Sequence, residues 1–160
     1  MKRPLRVLCV ASGGGHVEQI LACMDAFAGC EVALGYYGYP SYDDFSHPAI
    51  ARMRPVKFIG FHGIGLVANL VVGFFQWLWI LAAERPDVIF STGAEVAIVP
   101  IVVGKCLLRS RTVFLETASR KESPSRTGKL VYPFCDAFFV QSPALLKHYG
   151  PRARYVGSLL

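Results

Sequence analysis

The sequence predicts an α/β domain, a Rossmann-like parallel sheet with helices on both faces. Three observations carry this expectation. Short apolar runs alternate with segments of helical length; strand-like runs end in small hydroxyl residues and glycine just where a helix opens; and no internal repeat or low-complexity linker breaks the alternation. The chain has 160 residues, 53% of them apolar and 18% charged, so a single domain over 1–160 with a large core is expected.

In chain order, Leu5–Val10 is a buried strand, followed by Ala11-Ser12-Gly13-Gly14-Gly15-His16. His16–Phe27 is a helix with Val17, Ile20, Leu21 and Met24 on one face. Glu31–Tyr36 is the next strand, and 35–48 a loop rich in Gly, Tyr, Ser and Asp. Val56–Ile59 reads as a short strand and 60–65 as a glycine-rich turn. Leu66–Glu84 is long and apolar, stopped by Arg85-Pro86. Asp87–Phe90 is a strand leading into Ser91-Thr92-Gly93-Ala94-Glu95, and Val96–Leu108 a helix that tolerates Pro100 in its first turns. Thr112–Glu116 is a strand, 117–128 a polar stretch, Ala137–Gln141 a strand, Pro143–Tyr149 a short helix and Tyr155-Val156 a last short strand.

In a parallel sheet the ligand lies outside the carboxyl ends of the strands. Ser12–His16, Ser91–Glu95 and Glu116–Arg120 all fall there, so one cleft can be lined by all three. At Ser12, Gly13, Gly14 and Gly15 the backbone can approach a ligand closely, and the N–H groups of the following helix point at negative charge. His16 stands where a dinucleotide fingerprint places another glycine, which turns the reading from nicotinamide chemistry towards group transfer. Its imidazole can donate to a phosphate or take a proton; the plainer alternative is a tight turn with a hydrogen-bonded histidine. Ser91, Thr92, Gly93 and Glu95 repeat the pattern, with an ordinary helix cap as their plain alternative. Glu116 ends a buried strand and Arg120 follows four residues later. Either they form a structural pair, or Glu116 orients or deprotonates a hydroxyl while Arg120 meets a phosphate with its bidentate fork.

Ser123-Pro124-Ser125-Arg126-Thr127-Gly128-Lys129 lacks the opening glycine and spacing of a Walker loop, which excludes a nucleotide triphosphatase. His47, His62 and His148 stand alone, and no Gly-x-Ser-x-Gly elbow or Cys/His pairing suggests a hydrolase. No metal or organic cofactor is expected. The five cysteines are scattered in apolar contexts and read as small hydrophobes in a reducing compartment. The N-terminus lacks the apolar core and cleavage site of a signal peptide, so a cytoplasmic placement is expected. Net charge is +6, with Lys105, Arg109, Arg111, Arg120, Lys121, Arg126 and Lys129 close in sequence. Such charge suits a solvated face, a membrane surface or a diphosphate; no nucleic-acid reader motif accompanies it.

Ile64–Ala83 is twenty residues with Asn69 and Gln76 as its polar members. Length and composition reach the threshold for a membrane span, but a crossing there would divide the sheet between two sides of a bilayer. A buried helix or a helix lying in the interface remains, and the scarcity of polar residues favours membrane contact through Phe74, Phe75, Trp77 and Trp79.

Taken together, Ser12-Gly13-Gly14-Gly15-His16, Arg85-Pro86-Asp87-Val88-Ile89 with Ser91-Thr92-Gly93-Ala94, Glu116-Thr117-Ala118-Ser119-Arg120, Thr127 to Pro133, Asp136 to Pro143 and Tyr155-Val156-Gly157 stand in an order that resembles the asparagine-linked-glycosylation-fourteen family, with its bacterial exopolysaccharide relatives. The resemblance covers nearly the whole chain. It implies the amino-terminal half of a split GT-B glycosyltransferase, which anchors to the membrane and holds a polyprenyl-diphosphate-linked sugar. A partner subunit, the carboxy-terminal half, binds the UDP-sugar. Localisation would be the cytoplasmic face of the inner membrane. Eukaryotic members carry an N-terminal span, whereas here a strand begins at Leu5, so membrane contact falls to 64–83 and favours a bacterial exopolysaccharide subunit. The expected mechanism is inverting transfer, with Glu116 as base or hydroxyl orienter, His16 as the second candidate, and Arg120 with the 13–15 amides holding the diphosphate. A non-catalytic membrane recruiter of the partner is the alternative, and a stand-alone nucleotide-binding enzyme a third.

Overall fold

The computed structural model describes residues 3–37, 46–57 and 63–159, with side chains from residue 71 onward in the last segment. Its elements are β1 (Arg6–Ala11), α1 (Gly15–Ala22), β2 (Glu31–Tyr37), β3 (Arg52–Val56), α2 (Gly63–Glu84), β4 (Val88–Ser91), α3 (Ile98–Cys106), β5 (Arg111–Leu115), α4 (Arg126–Val131), β6 (Ala137–Val140), α5 (Leu146–Tyr149) and β7 (Ala153–Tyr155). Seven strands form one sheet in the order β3-β2-β1-β4-β5-β6-β7, and every neighbouring pair is parallel. The strand order reverses between β1 and β4, since β1 leads outward to β2 and β3 before α2 carries the chain back to β4. Open α/β sheets bind their ligands at such a switch point.

Alternation along each strand divides the core in two. Leu8, Val10, Ile89, Phe114, Phe138 and Val140 face the side covered by α2 to α5, where they meet Trp77, Ile80, Leu81, Ile101, Val131 and Leu145. Val7, Cys9, Val32, Leu34, Phe90 and Leu115 face the other side, where α1 supplies Val17 and Ile20. Helices therefore cover both faces, as expected, but unequally. On the α1 side, Val88, Phe90, Val113, Leu115 and Phe139 instead border an apolar groove of about 360 Å³ closed by Phe27, Val156 and Leu159.

Three elements differ from the sequence reading, the simplest being α1, which ends at Ala22 and is followed by a separate 3-10 turn over Met24–Phe27. The third strand lies at Arg52–Val56 and not at 56–59, of which residues 58 and 59 lie outside the described residues, as do 60–62 of the expected 60–65 turn, whose remainder is the start of α2, and most of the 35–48 loop. Arg52, Arg54 and Pro55 hid it, because an edge strand tolerates charge and proline where a central one does not. Both arginines bond the carboxylate of Glu84, at 2.9 and 2.6 Å, and Arg52 also meets Glu31 at 2.5 Å. This clamps the end of α2 to the sheet edge. Burial works against ionisation of Glu84, but the hydrogen bonds from Arg52 and Arg54 outweigh it and hold its carboxyl below the ordinary range. The remaining difference is α4, a helix that begins inside the polar stretch 117–128 and runs on to Val131. Ser125 opens it, its hydroxyl accepting from the Gly128 amide at 2.8 Å.

The apolar helix is α2. Among the described residues no helix is long and apolar enough to cross a membrane. Trp77, Ile80, Leu81 and Glu84 form its buried stripe, at the spacing one helical face requires. Trp77 is 2% exposed and packs so closely on β2 that a Cβ at Gly35 would stand 2.5 Å from its ring. That corrects the expectation that Trp77 touches membrane: it faces the sheet, not solvent. Val71, Phe75 and Trp79, four residues apart, form an exposed ridge with Phe74 beside it.

The basic residues between 105 and 129 do not form one patch. Lys105 is paired with Asp136 at 2.5 Å, and Arg111 begins β5 at the amino edge of the sheet, whereas Arg120 and Lys121 follow the carboxyl end of the same strand. The strand itself separates them.

Candidate functional site at the carboxyl edge

The turn after β1 and the turn after β4 meet at the switch point. Gly14 takes φ +70° as the cap of α1, and its carbonyl accepts from the Val17 amide at 2.9 Å. His16, in the first turn, is partly buried. Its Nδ1 lies 3.0 Å from the carbonyl oxygen of Thr92, and the Thr92 hydroxyl donates back to the His16 carbonyl at 2.7 Å. A carbonyl can only accept, so Nδ1 is the donor, and in the neutral imidazole the lone pair is then on Nε2. Gly93, at φ +122°, lies against this ring: a Cβ there would stand 2.8 Å from Cε1 of His16. The glycine is required both by its backbone and by the imidazole.

Ser91 and Thr92 are not ligand-facing, which corrects their expected role in acceptor binding. Both are fully buried. The Ser91 hydroxyl donates to the Val10 carbonyl at 2.8 Å and accepts from the Gly93 amide at 3.2 Å, so its capacity goes into holding β4 to β1. Neither caps the following helical turn; Ala94 does, with φ 66° and no side-chain bond. Glu95 follows it and is exposed. Ser12 and Gly13 are partly buried, and Gly14 and Gly15 exposed, along the open side of the His16 turn.

Glu116 behaves differently. Its side chain is fully buried, and it faces α4 and α5. Oε2 accepts from the Ser125 amide and hydroxyl, each at 3.1 Å, and from the Tyr149 phenol; Oε1 lies 3.2 Å from the Thr117 amide. No room is left beside it, since a Cβ at Gly128 would stand 2.5 Å from Oε2. Burial, reinforced by the adjacent carboxylate, pushes the Tyr149 phenol well above its ordinary pKa, so it stays a donor. The expectation that Glu116 orients or deprotonates a cleft hydroxyl is thereby corrected. Its lone pairs are occupied by a helix start and a phenol, and Arg120, which is exposed, is not among its partners.

Two residues that the sequence reading passed over lie beneath the cleft. Gln19, one turn into α1, and Gln141, at the end of β6, are 3% and 6% exposed and bonded to each other at 2.7 Å. The signal was a polar residue at a core position of an amphipathic helix and another closing an apolar strand. Beyond Gln141, Ala118, Ser119, Lys121, Ser142, Pro143 and Ser158 border a concavity of about 540 Å³ along the same edge.

A family model described as "Oligosaccharide biosynthesis protein Alg14 like" matches residues 7–159. The "UDP-N-acetylglucosamine transferase subunit ALG14" of Eremothecium gossypii is 28% identical over 98% of this chain and 81% of its own length. A Streptococcus pyogenes "UDP-N-acetylglucosamine--N-acetylmuramyl-(pentapeptide) pyrophosphoryl-undecaprenol N-acetylglucosamine transferase" is 29% identical over 60% of this chain and 26% of its own length. Among solved structures, Acinetobacter baumannii MurG superposes with a TM-score of 0.71 at 17% identity, over 97% of this chain and 46% of that one. A UDP-GlcNAc 2-epimerase from Methanocaldococcus jannaschii gives the same TM-score at 12% identity, over 96% and 47%. The chain thus spans about half the length of the solved structures it matches. Its fold is that of an amino-terminal GT-B half.

Proposed function

Because this chain belongs to the Alg14-like family of oligosaccharide biosynthesis proteins, we propose that it is the acceptor-binding, membrane-anchoring subunit of a two-subunit, UDP-sugar-dependent glycosyltransferase. It acts as one domain. Its acceptor is a polyprenyl-diphosphate-linked sugar used in polysaccharide or lipid-linked oligosaccharide synthesis, and its site of action is the cytoplasmic face of the membrane. The observation that carries the reading is the His16–Thr92 pair at the switch point, beside an open glycine turn. His16 Nε2 takes the proton of the acceptor hydroxyl as that oxygen attacks the sugar's anomeric carbon with inversion, and UDP leaves on the partner's side. The 13–15 backbone and Arg120 hold the acceptor diphosphate, the amides by close approach and Arg120 by its fork.

Anchoring falls to the exposed ridge of Val71, Phe74, Phe75 and Trp79, which is wide and apolar enough to enter the headgroup boundary. The apolar groove on the α1 side is consistent with contact to a partner half. The test is transfer by the chain reconstituted with its carboxy-half partner, using UDP-N-acetylglucosamine and a short polyprenyl-diphosphate sugar in phosphatidylglycerol vesicles. Loss of turnover in His16→Asn with membrane binding retained supports the proposal. Full turnover in that variant, with the partner still membrane-bound, establishes the recruiter alternative instead.

A further inference from the structure

Gln19 and Gln141 are two neutral side chains, almost wholly buried, with nearly all their hydrogen-bonding capacity engaged by protein. The Gln19 Nε2 donates to the Gly15 carbonyl at 3.2 Å and to the Thr117 hydroxyl at 3.4 Å. Its Oε1 accepts from the Ala118 amide at 3.3 Å and from Gln141 Nε2 at 2.7 Å. Gln141 Nε2 also donates to the Glu116 carbonyl at 3.0 Å, and its Oε1 accepts from the Leu159 amide at 2.8 Å. Each amide has a carbonyl against its nitrogen and a backbone N–H against its oxygen, so neither can be turned over without two mismatches. The pair consequently ties four separate segments together: the first turn of α1, the 116–118 turn after β5, the end of β6 and the C-terminal stretch.

Fold stability alone does not call for such a device. Apolar side chains of similar volume would fill the site without the cost of burying two amides. What the amides add is a fixed distance. Gly15, which Gln19 holds, immediately precedes His16, and Gln141 forms part of the wall of the 540 Å³ concavity. We propose that Gln19 and Gln141 are positioning residues, a buried amide pair that sets the His16 imidazole relative to the turns after β5 and β6. The proposal rests, for its consequence in catalysis, on His16 serving as the base; for the placement of the ring it does not.

The experiment therefore has two readouts. Nitrogen-15 NMR of the histidine rings, with His16 assigned by its loss in His16→Asn, reports the tautomer in the chain alone. Transfer by the reconstituted pair reports kcat and KM. Gln19→Met removes all four bonds at nearly constant volume. Gln19→Glu keeps an acceptor for Ala118 and Gln141 but loses, when ionised, the donor to Gly15, and serves as the second variant should Gln19→Met fold poorly. In both, the Nδ1-protonated tautomer of His16 is expected to give way to a mixture, with kcat down about tenfold or more and KM within about twofold. Gln141→Met, one step further away, should shift the ring less. A wild-type ring spectrum and wild-type kcat in a folded Gln19→Met or Gln19→Glu protein overturns the proposal. A changed spectrum in a pair whose turnover survives His16→Asn upholds the positioning of the ring and removes His16 as the base.

Discussion

The turns after β1 and β5 occupy equivalent places in the sheet, yet they have opposite fates. After β1 the chain enters a helix through exposed glycines, and the partly buried His16 is bonded through one ring nitrogen to Thr92. After β5 the chain runs on through a polar segment and folds back as α4, so that Glu116 is sealed beneath Ser125 and Tyr149. Both are titratable residues at a strand mouth. A carboxylate so placed becomes a cleft base only if the next element leaves it open; here the next helix uses it as an anchor. The contrast is why the proposed chemistry falls to the turn after β1, while the turn after β5 holds the fold together.

Substitutions at the two residues should have opposite consequences. His16→Asn should lower kcat of the reconstituted pair by about 10²–10⁴-fold, with urea unfolding changed by no more than roughly 1 kcal/mol. Glu116→Ala should do the reverse. It leaves the Ser125, Thr117 and Tyr149 donors without their acceptor, and its urea midpoint should fall by the equivalent of roughly 3 kcal/mol or more. A stable Glu116→Ala protein lacking turnover would return the carboxylate to the chemistry and undo the contrast. Gly93→Ala sharpens the first half, because its Cβ must displace the His16 ring. A ring misplacement of that kind is expected to cost about 10²-fold in kcat. Tyr149→Phe sharpens the second half, with a loss of about 1–2 kcal/mol and an unchanged His16 spectrum.

The smallest effect belongs to the amino edge, which should influence neither turn. Arg3 donates two hydrogen bonds of 2.7 Å to Asp87, the Arg6 amide adds a third at 2.9 Å, and the Asp87 carboxyl is held down to about 2. A depressed carboxyl contributes stability that is present above its unfolded pKa, near 3.8, and is lost as pH falls towards 2. Arg3 is largely exposed and solvent screens the pair, so the contribution is small. Acid titration of Arg3→Gln, followed by circular dichroism, should show a shallower loss of stability over that window.

Much of this molecule was legible in the residues. Most strands fall within one or two residues of their expected limits and the long helix within three, because apolar alternation and glycine punctuation are local signals. β3 was displaced because its Arg52, Arg54 and Pro55 suit only an edge, and which strand is an edge depends on the whole sheet. α4 was hidden because its six residues carry little apolar pattern and its cap acts together with a distant carboxylate. In the site, the His16 turn was visible from its glycines. Gln19 and Gln141 were not, because residues 122 positions apart give no sign in sequence that they share one hydrogen bond.

Trp77 and Trp79 show the same division at closer range. Composition marked the whole helix as apolar enough for lipid, but only helical phase against β2 decides which indole is buried and which is exposed. The sequence by itself determined the parallel α/β sheet, the order of its turns and the glycine-histidine motif, since those depend on neighbours along the chain. Tertiary structure alone decided that His16 stays partly exposed and Glu116 does not. Side-chain access depends on what packs over a residue, and at Glu116 that is Ser125 and Tyr149, contributed by segments 9 and 33 residues further along the chain.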